Sequence, residues 1–292
     1  MPAAITHYQQ ALAVLKKCDI EHSPKFTDAF LCGAQGPDFL YYHNLFQPWR
    51  KNLRSLGSKL HHEHPAKLLS VIRDFLNQSG NEMIESYIYG FLCHYSLDRT
   101  AHPFVHWDVH ALKNLYPGRS NSFLHNHVES VLDVIILRSV TGQLAVDFDL
   151  RKTVPKDREV QLQIEKLYRH IFERLYGIHG IRENVFQAMS HCRIICGFLN
   201  DRYMIKKPVA QALEQLTHKY VFSSVIRGMN EPDEFDYANV LHSEWKWPEN
   251  NRDFRTDSFF ELYAKSIQDS VTFIREFKTA DLSQLTHEIS FV

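Results

Sequence analysis

The stretch Gly90-Phe-Leu-Cys-His-Tyr-Ser-Leu-Asp-Arg-Thr-Ala-His-Pro103 decides how the rest of the chain is read. His94, Asp98 and His102 stand four residues apart. On a helix that step places successive side chains on one face. Two imidazoles and a carboxylate arranged this way form a surface suited to a transition-metal ion. Phe91, Leu92, Cys93, Tyr95 and Leu97 occupy the other sides, so the helix is expected to be buried. Three titratable groups on a buried helix are costly unless something satisfies them, and a metal ion does. Pro103 is expected to end the helix, because its ring cannot continue the hydrogen-bond ladder. About one loop later, His125 and Glu129 repeat the four-residue step.

Outward from this helix the pattern stays helical. Thr6 is placed to cap a first helix carrying Ala11, Leu12, Val14 and Leu15. Further helices are expected over 25–33, 65–76, 82–102, 122–140, 157–177, 183–199, 206–226 and 256–277. Gly33 to Tyr42 reads as a loop with two glycines and a proline, and Leu144 to Leu150 is the one modest strand candidate. The expected fold class is all-α. Residues 1–142 hold nearly all the suspicious polar side chains and read as a metal-binding helical core. Residues 143–292 read as supporting helices of the same compact domain. The softest points are 142–156 and the Pro- and Asn-containing stretch 229–252.

The chain has 292 residues, of which 44% are hydrophobic and 23% charged, the profile of a globular protein. A net charge of -1 argues against a dedicated nucleic-acid surface. No stretch approaches the roughly 20 apolar residues of a membrane span, and residues 1–15 lack the pattern of a secretory signal. A cytoplasmic location is therefore expected. The five cysteines are spread out, and buried free thiols are the simplest reading, including for Cys192 and Cys196 on one helix face. Of 18 histidines, 12 precede residue 130 and nine lie between His61 and His127. That clustering asks for a local cause. Other metal and phosphate signatures are missing: there is no adjacent His-Asp pair, no Glu-x-x-His, no His-Glu-x-x-His and no phosphate-cradling P-loop.

Several pieces occur in a definite order: Thr6-His7, Gly36-Pro37-Asp38, Leu60-His61-His62, Gly90 with His94-x-x-x-Asp98-x-x-x-His102, and His125-x-x-x-Glu129. Over roughly residues 1–140 they resemble the zinc-dependent phospholipase C family, related to the bacterial phosphatidylcholine-cleaving enzymes and more distantly to P1-type nucleases. The resemblance implies a single multi-helix domain of that type with extra C-terminal helices. It implies that Asp38, His61, His94 and Asp98 hold one zinc ion, and that His102, His125 and Glu129 hold a second. Asp98 would bridge toward a third ion, which His7 would help to bind. Asp38 and Asp98 are the candidate catalytic carboxylates, and a metal-activated water would attack phosphorus.

Two choices stay open: His61 against His62, with His61 preferred, and His102 against His106, with His102 preferred. Secreted members of the family use a processed N-terminal tryptophan as a ligand. The chain starts Met1-Pro2 instead, so the third site is in question. Asp133, one turn beyond Glu129, is expected to orient a histidine. His43, His64, His110 and His127 are expected to be solvated or to support ligands from behind. Phe39, Tyr41, Tyr42, Phe46 and Trp49 are either core or the lining of a substrate cleft. The substrate implied is a small phosphoester or a phospholipid head group, with no transmembrane segment and the oligomeric state open. The competing reading is a metal-stabilised binding protein of the same fold that has lost catalysis.

Overall fold

The computed structural model describes residues 4–18, 23–47, 49–247 and 253–291; the start Met1-Pro2 and the end of the stretch 229–252 lie outside them. The architecture is all-α. Among the described residues there are eleven α-helices and one two-stranded antiparallel sheet. In chain order the helices are α1 (Ala4–Lys17), α2 (Pro24–Gly33), α3 (Arg54–His61), α4 (Pro65–Ser79), α5 (Glu82–Leu112) and α6 (Asn121–Thr141). They continue as α7 (Arg158–Tyr176), α8 (Arg182–Leu199), α9 (Lys206–Thr217), α10 (Phe259–Glu276) and α11 (Leu282–Thr286). Strands β1 (Trp245–Lys246) and β2 (Phe254–Arg255) pair Trp245 with Arg255 and Lys246 with Phe254. No helix among the described residues is long and apolar enough to cross a membrane.

The chain divides into two compact units. The first comprises Met1–Gln9, Thr100–Leu150 and Cys196–Lys265; the second comprises Gln10–Arg99, Arg151–Ile195 and Ser266–Val292. The boundaries fall inside α1, α5, α8 and α10, so each of these helices contributes a part to both.

In the second unit, α4 buries Leu68, Leu69, Ile72 and Leu76, one stripe at three- and four-residue steps. It packs on α7 and α11, and α7 answers with Val160, Ile164, Leu167, Tyr168 and Ile171. The contact that positions the site is the crossing of α2 with α5. A Cβ on Gly90 would lie 2.0 Å from the Phe30 carbonyl oxygen, and one on Gly33 would lie 2.0 Å from that of Tyr87. The two backbones therefore touch, and only glycine fits on both sides. Gly90→Ala is expected to destabilise the fold by about 3 kcal/mol, since a methyl must push two backbones apart. Urea unfolding checks this, and unchanged stability would show that α2 can move away freely.

In the first unit, α6 is buried on almost every side, from Phe123 to Leu137. Ser120 caps it by accepting from the Phe123 N–H at 3.1 Å, and Gly142, at φ 72°, closes it in the left-handed region. At its centre, Asp133 accepts from the Thr6 N–H (2.7 Å), the Thr6 hydroxyl (2.7 Å) and the Ile5 N–H (3.3 Å). It also accepts from Arg227 Nη2 at 2.6 Å and Nε at 3.1 Å. The first turn of α1 thus finds its acceptor in a helix far along the chain. Phe104 packs edge-on to Trp245, with ring centroids 5.4 Å apart, and against Phe259.

Several local expectations differ from what forms. Pro103 sits inside α5, which runs on to Leu112. A proline in a helix interior costs about 3 kcal/mol. Phe104, Val105, Val109 and Leu112, all buried beyond it, offset this at roughly 1.5–3 kcal/mol each. Thr6 lies within α1 rather than capping it, because Asp133 supplies the missing acceptor. Asp133 accordingly serves Thr6 and Arg227 and not a histidine. Leu144–Leu150 forms no strand; its residues enter short 3-10 turns, and the Leu150 N–H is taken by Asn200 Oδ1 at 3.1 Å. α9 stops at Thr217 because His218 turns left-handed, at φ 53°. α10 begins only at Phe259, after a capping box in which Glu261 accepts from the Ser258 N–H at 2.8 Å. His61 closes a helix, α3, that the periodicity did not reveal.

Candidate metal centre

The loop that follows α2 turns sharply and delivers Asp38 at the start of a 3-10 turn, Asp38–Tyr42. Gly36 makes this possible: it adopts φ +50°, and a Cβ there would lie 2.1 Å from the His94 ring. α3 brings in His61 at its last residue, and α5 brings in His94 and Asp98 one turn apart. All four side chains are buried. His61 Nε2 lies 3.1 Å from Asp38 Oδ1 and 3.7 Å from Asp98 Oδ2. His94 Nε2 lies 3.2 Å from Asp98 Oδ2, 3.9 Å from Asp38 Oδ1 and 3.4 Å from His61 Nε2.

Ligand atoms of Asp38, His61 and His94 lie within 4.8 Å of one another, and Asp98 stands beside both imidazoles. A four-coordinate zinc with ligands at about 2.0–2.2 Å separates its ligand atoms by about 3.3–3.6 Å, within the observed spread. Asp38 Oδ1, despite its closeness to His61, is buried without a hydrogen-bond partner, as expected of an atom aimed at a shared centre and not at its neighbour. The donor set and its spacing fit zinc.

Behind the cluster, His61 Nδ1 lies 2.8 Å from the Gly57 carbonyl oxygen and 3.3 Å from the Tyr41 hydroxyl. The carbonyl fixes the proton on Nδ1 and leaves Nε2 as the lone-pair atom facing Asp38. Burial works against protonating His61, but the Asp38 and Asp98 carboxylates, with the Gly57 carbonyl, outweigh it and hold its pKa above the ordinary value. His62 points the other way, exposed, with Nδ1 2.8 Å from the Ser58 carbonyl oxygen.

A second cluster lies in the first unit. His125 and Glu129, one turn apart on α6, meet His102 of α5. His125 Nε2 is 3.2 Å and His102 Nε2 3.5 Å from Glu129 Oε1, and Glu129 Oε2 is buried without a hydrogen-bond partner. Burial alone would raise the Glu129 pKa; the His125 and His102 imidazoles reverse this and hold the carboxyl well below its usual range. His106 joins the same group. Its ring centroid is 6.0 Å from that of His102 and 5.4 Å from that of His125. His106 is itself exposed at the edge of this group; partial desolvation of its ring, with the neighbouring His125 and His102, holds its pKa down to about 4, so its imidazole is neutral. His106, the alternative to His102, lies one turn further along α5, which continues through Pro103.

His7 is buried on α1 and belongs to the first unit, whereas His94 and Asp98 belong to the second. His127 meets the Tyr237 hydroxyl at 2.9 Å, and burial holds its pKa down to about 4. His43 Nδ1 accepts from the Leu53 N–H at 3.1 Å, and His64 Nδ1 pairs with Glu288 at 2.9 Å. His110 is exposed beside the second cluster, in a cleft described below. Of the aromatics, Phe39 packs edge-on to Tyr168 in the core and Trp49 is exposed. Tyr42 and Phe46 line a shallow cleft with His191 and Ile194. Cys32, Cys93, Cys192 and Cys196 are buried, and Cys18 is half-buried.

The fold and these clusters define an all-α protein with buried imidazole and carboxylate groups able to hold metal ions. A sequence model of the zinc-dependent phospholipase C family matches residues 5–178, and the chain belongs to that family. No curated protein and no solved structure is significantly similar to it. Membership and the buried clusters together support a metal-dependent, phospholipase-like function.

Proposed function

We propose that this protein is a zinc-dependent hydrolase of phosphoester bonds, with Asp38, His61, His94 and Asp98 holding one ion and His102, His125 and Glu129 a second. The observation that carries the reading is the convergence of Asp38, His61 and His94 ligand atoms from three separate elements within 4.8 Å. Bound zinc supplies Lewis acidity, stabilising charge on a phosphoryl oxygen and acidifying water.

The chain's own residues provide position and charge. The Gly57 carbonyl holds the His61 ring in one tautomer and orientation. Beside His125 opens a cleft of about 340 Å³ lined by His106, His110, Lys113, Asn121 and Ser122. Its walls carry imidazoles, an ammonium and the first residues of α6, and no carboxylate. Such walls favour an anionic group such as a phosphoester.

The test is elemental analysis of the purified protein together with turnover of bis(p-nitrophenyl) phosphate. Two or more zinc ions per chain, and turnover abolished by EDTA and restored by zinc, are expected. One ion and no turnover would favour the non-catalytic binding protein. Within the first cluster, His61→Ala is expected to lose zinc, whereas His62→Ala keeps near-normal content. The reverse ranking would reassign the ligand.

A further inference from the structure

We propose that α9 and the residues leading into it form a docking surface for an anionic lipid membrane. A surface helix normally turns its apolar stripe to the core and its charges to water. α9 does the opposite. Its buried residue is Glu214, while Leu213 is 57% and Leu216 80% exposed. Val209, one turn earlier, extends the same exposed stripe. The residues before the helix add Tyr203 at 79% and Ile205 at 62%, with Met204 between them. An exposed apolar surface of this extent, rimmed by polar groups, marks an interaction site.

The charges say what it fits. Both carboxylates of the segment are turned inward. Asp201 accepts from the N–H groups of Ile205 (3.0 Å), Lys206 (3.0 Å) and Lys207 (2.9 Å) and so caps α9. Glu214 accepts from the N–H groups of Val221, Phe222 and Ser223 and from the Ser223 hydroxyl. From Arg202 to Phe222, Glu214 is the one acidic residue, so the charges left outward are the cations Arg202 and Lys219. Asp147 lies 3.9 Å from Arg202, a loose exposed pair that leaves the cation available. Lys206 Nζ ties the segment down by donating to the carbonyl oxygens of Phe198 (2.7 Å) and Asn200 (2.6 Å).

The result is a rigid apolar ridge with a cationic rim. Such a ridge inserts at the acyl boundary while its cations meet lipid phosphates. A second copy of the chain fits less well, because two cationic rims would meet with no outward carboxylate from this segment on either.

The inference is independent of hydrolysis, because binding is read without turnover. Zinc-loaded full-length protein is sedimented with vesicles of phosphatidylcholine alone and of phosphatidylcholine with phosphatidylserine. Binding to the anionic vesicles is expected to be stronger by about tenfold or more, and to weaken with salt. Leu213→Glu with Leu216→Glu is expected to lower it by about tenfold or more. Both residues are exposed, so melting should be unchanged. As a second readout that spares the ridge, Arg202→Glu with Lys219→Glu is expected to abolish the preference for anionic vesicles. Equal binding to both vesicle types, or binding insensitive to both double variants, overturns the proposal. So does a lipid-free dimer, by light scattering, that the leucine variant converts to monomer; the occupant would then be a second copy.

Discussion

Asp98→Asn is expected to empty the first metal cluster and to lower phosphodiester turnover by about 10³-fold or more, the scale set by losing several kcal/mol of charge stabilisation. Asp98 Oδ2 lies 3.2 Å from His94 Nε2 and 3.7 Å from His61 Nε2, so its charge faces both imidazoles. The amide of asparagine keeps the shape and removes the charge. It also brings an N–H₂ group that donates where a ligand must accept. Elemental analysis separates this from an indirect effect on rate. Near-normal zinc with reduced turnover would make Asp98 a positioning group; near-normal zinc and turnover would remove it from the site. Because His102, His125 and Glu129 stand in a separate cluster, the variant is expected to keep zinc there. A stepwise loss, one ion and not all, is the specific signature.

The stripe of His94, Asp98 and His102 was legible because four-residue spacing is a local property of one helix. What happens along that stripe was less so. Each four-residue step overshoots a full helical turn by about 40°, so a ladder of such steps winds slowly around the helix. His94 and Asp98 consequently stand beside His61, while His102 stands beside His125 and Glu129, with the His106 ring next to it. His110, further round, is exposed. Ending the helix at Pro103 hid this, since the burial that carries α5 past the proline comes from tertiary contacts such as Phe104 on Trp245. His61 and His62 are adjacent and chemically equal; what separates them is the short helix α3 and the Gly57 carbonyl one turn back. Glu214 in α9 is buried. Its burial depends on a chain reversal at His218 that nothing in the local pattern announces.

Asp133→Ala is expected to destabilise the fold by about 4 kcal/mol, because it leaves Arg227 as a buried cation without its partner. Asp133 is fully buried and Arg227 nearly so. Their bond of 2.6 Å between Arg227 Nη2 and Asp133 Oδ2 is one of five that the carboxylate accepts. Arg227 Nε donates a second, and the remaining three come from Ile5 and Thr6, so the variant also strips the first turn of α1 of its acceptor. These two losses can be told apart. Thr6→Val removes the hydroxyl bond alone and is expected to cost about 1 kcal/mol. Asp133→Leu combined with Arg227→Met removes both charges and replaces them with apolar bulk. That pair is expected to recover the part of the loss due to the stranded cation, leaving about 1–2 kcal/mol from the unsatisfied α1 donors. Urea denaturation of the four proteins measures all the terms. If the double variant is as unstable as Asp133→Ala, the anchoring of α1 dominates. If Asp133→Ala costs less than about 1 kcal/mol, the Arg227 side chain must be able to reach water without unfolding the unit.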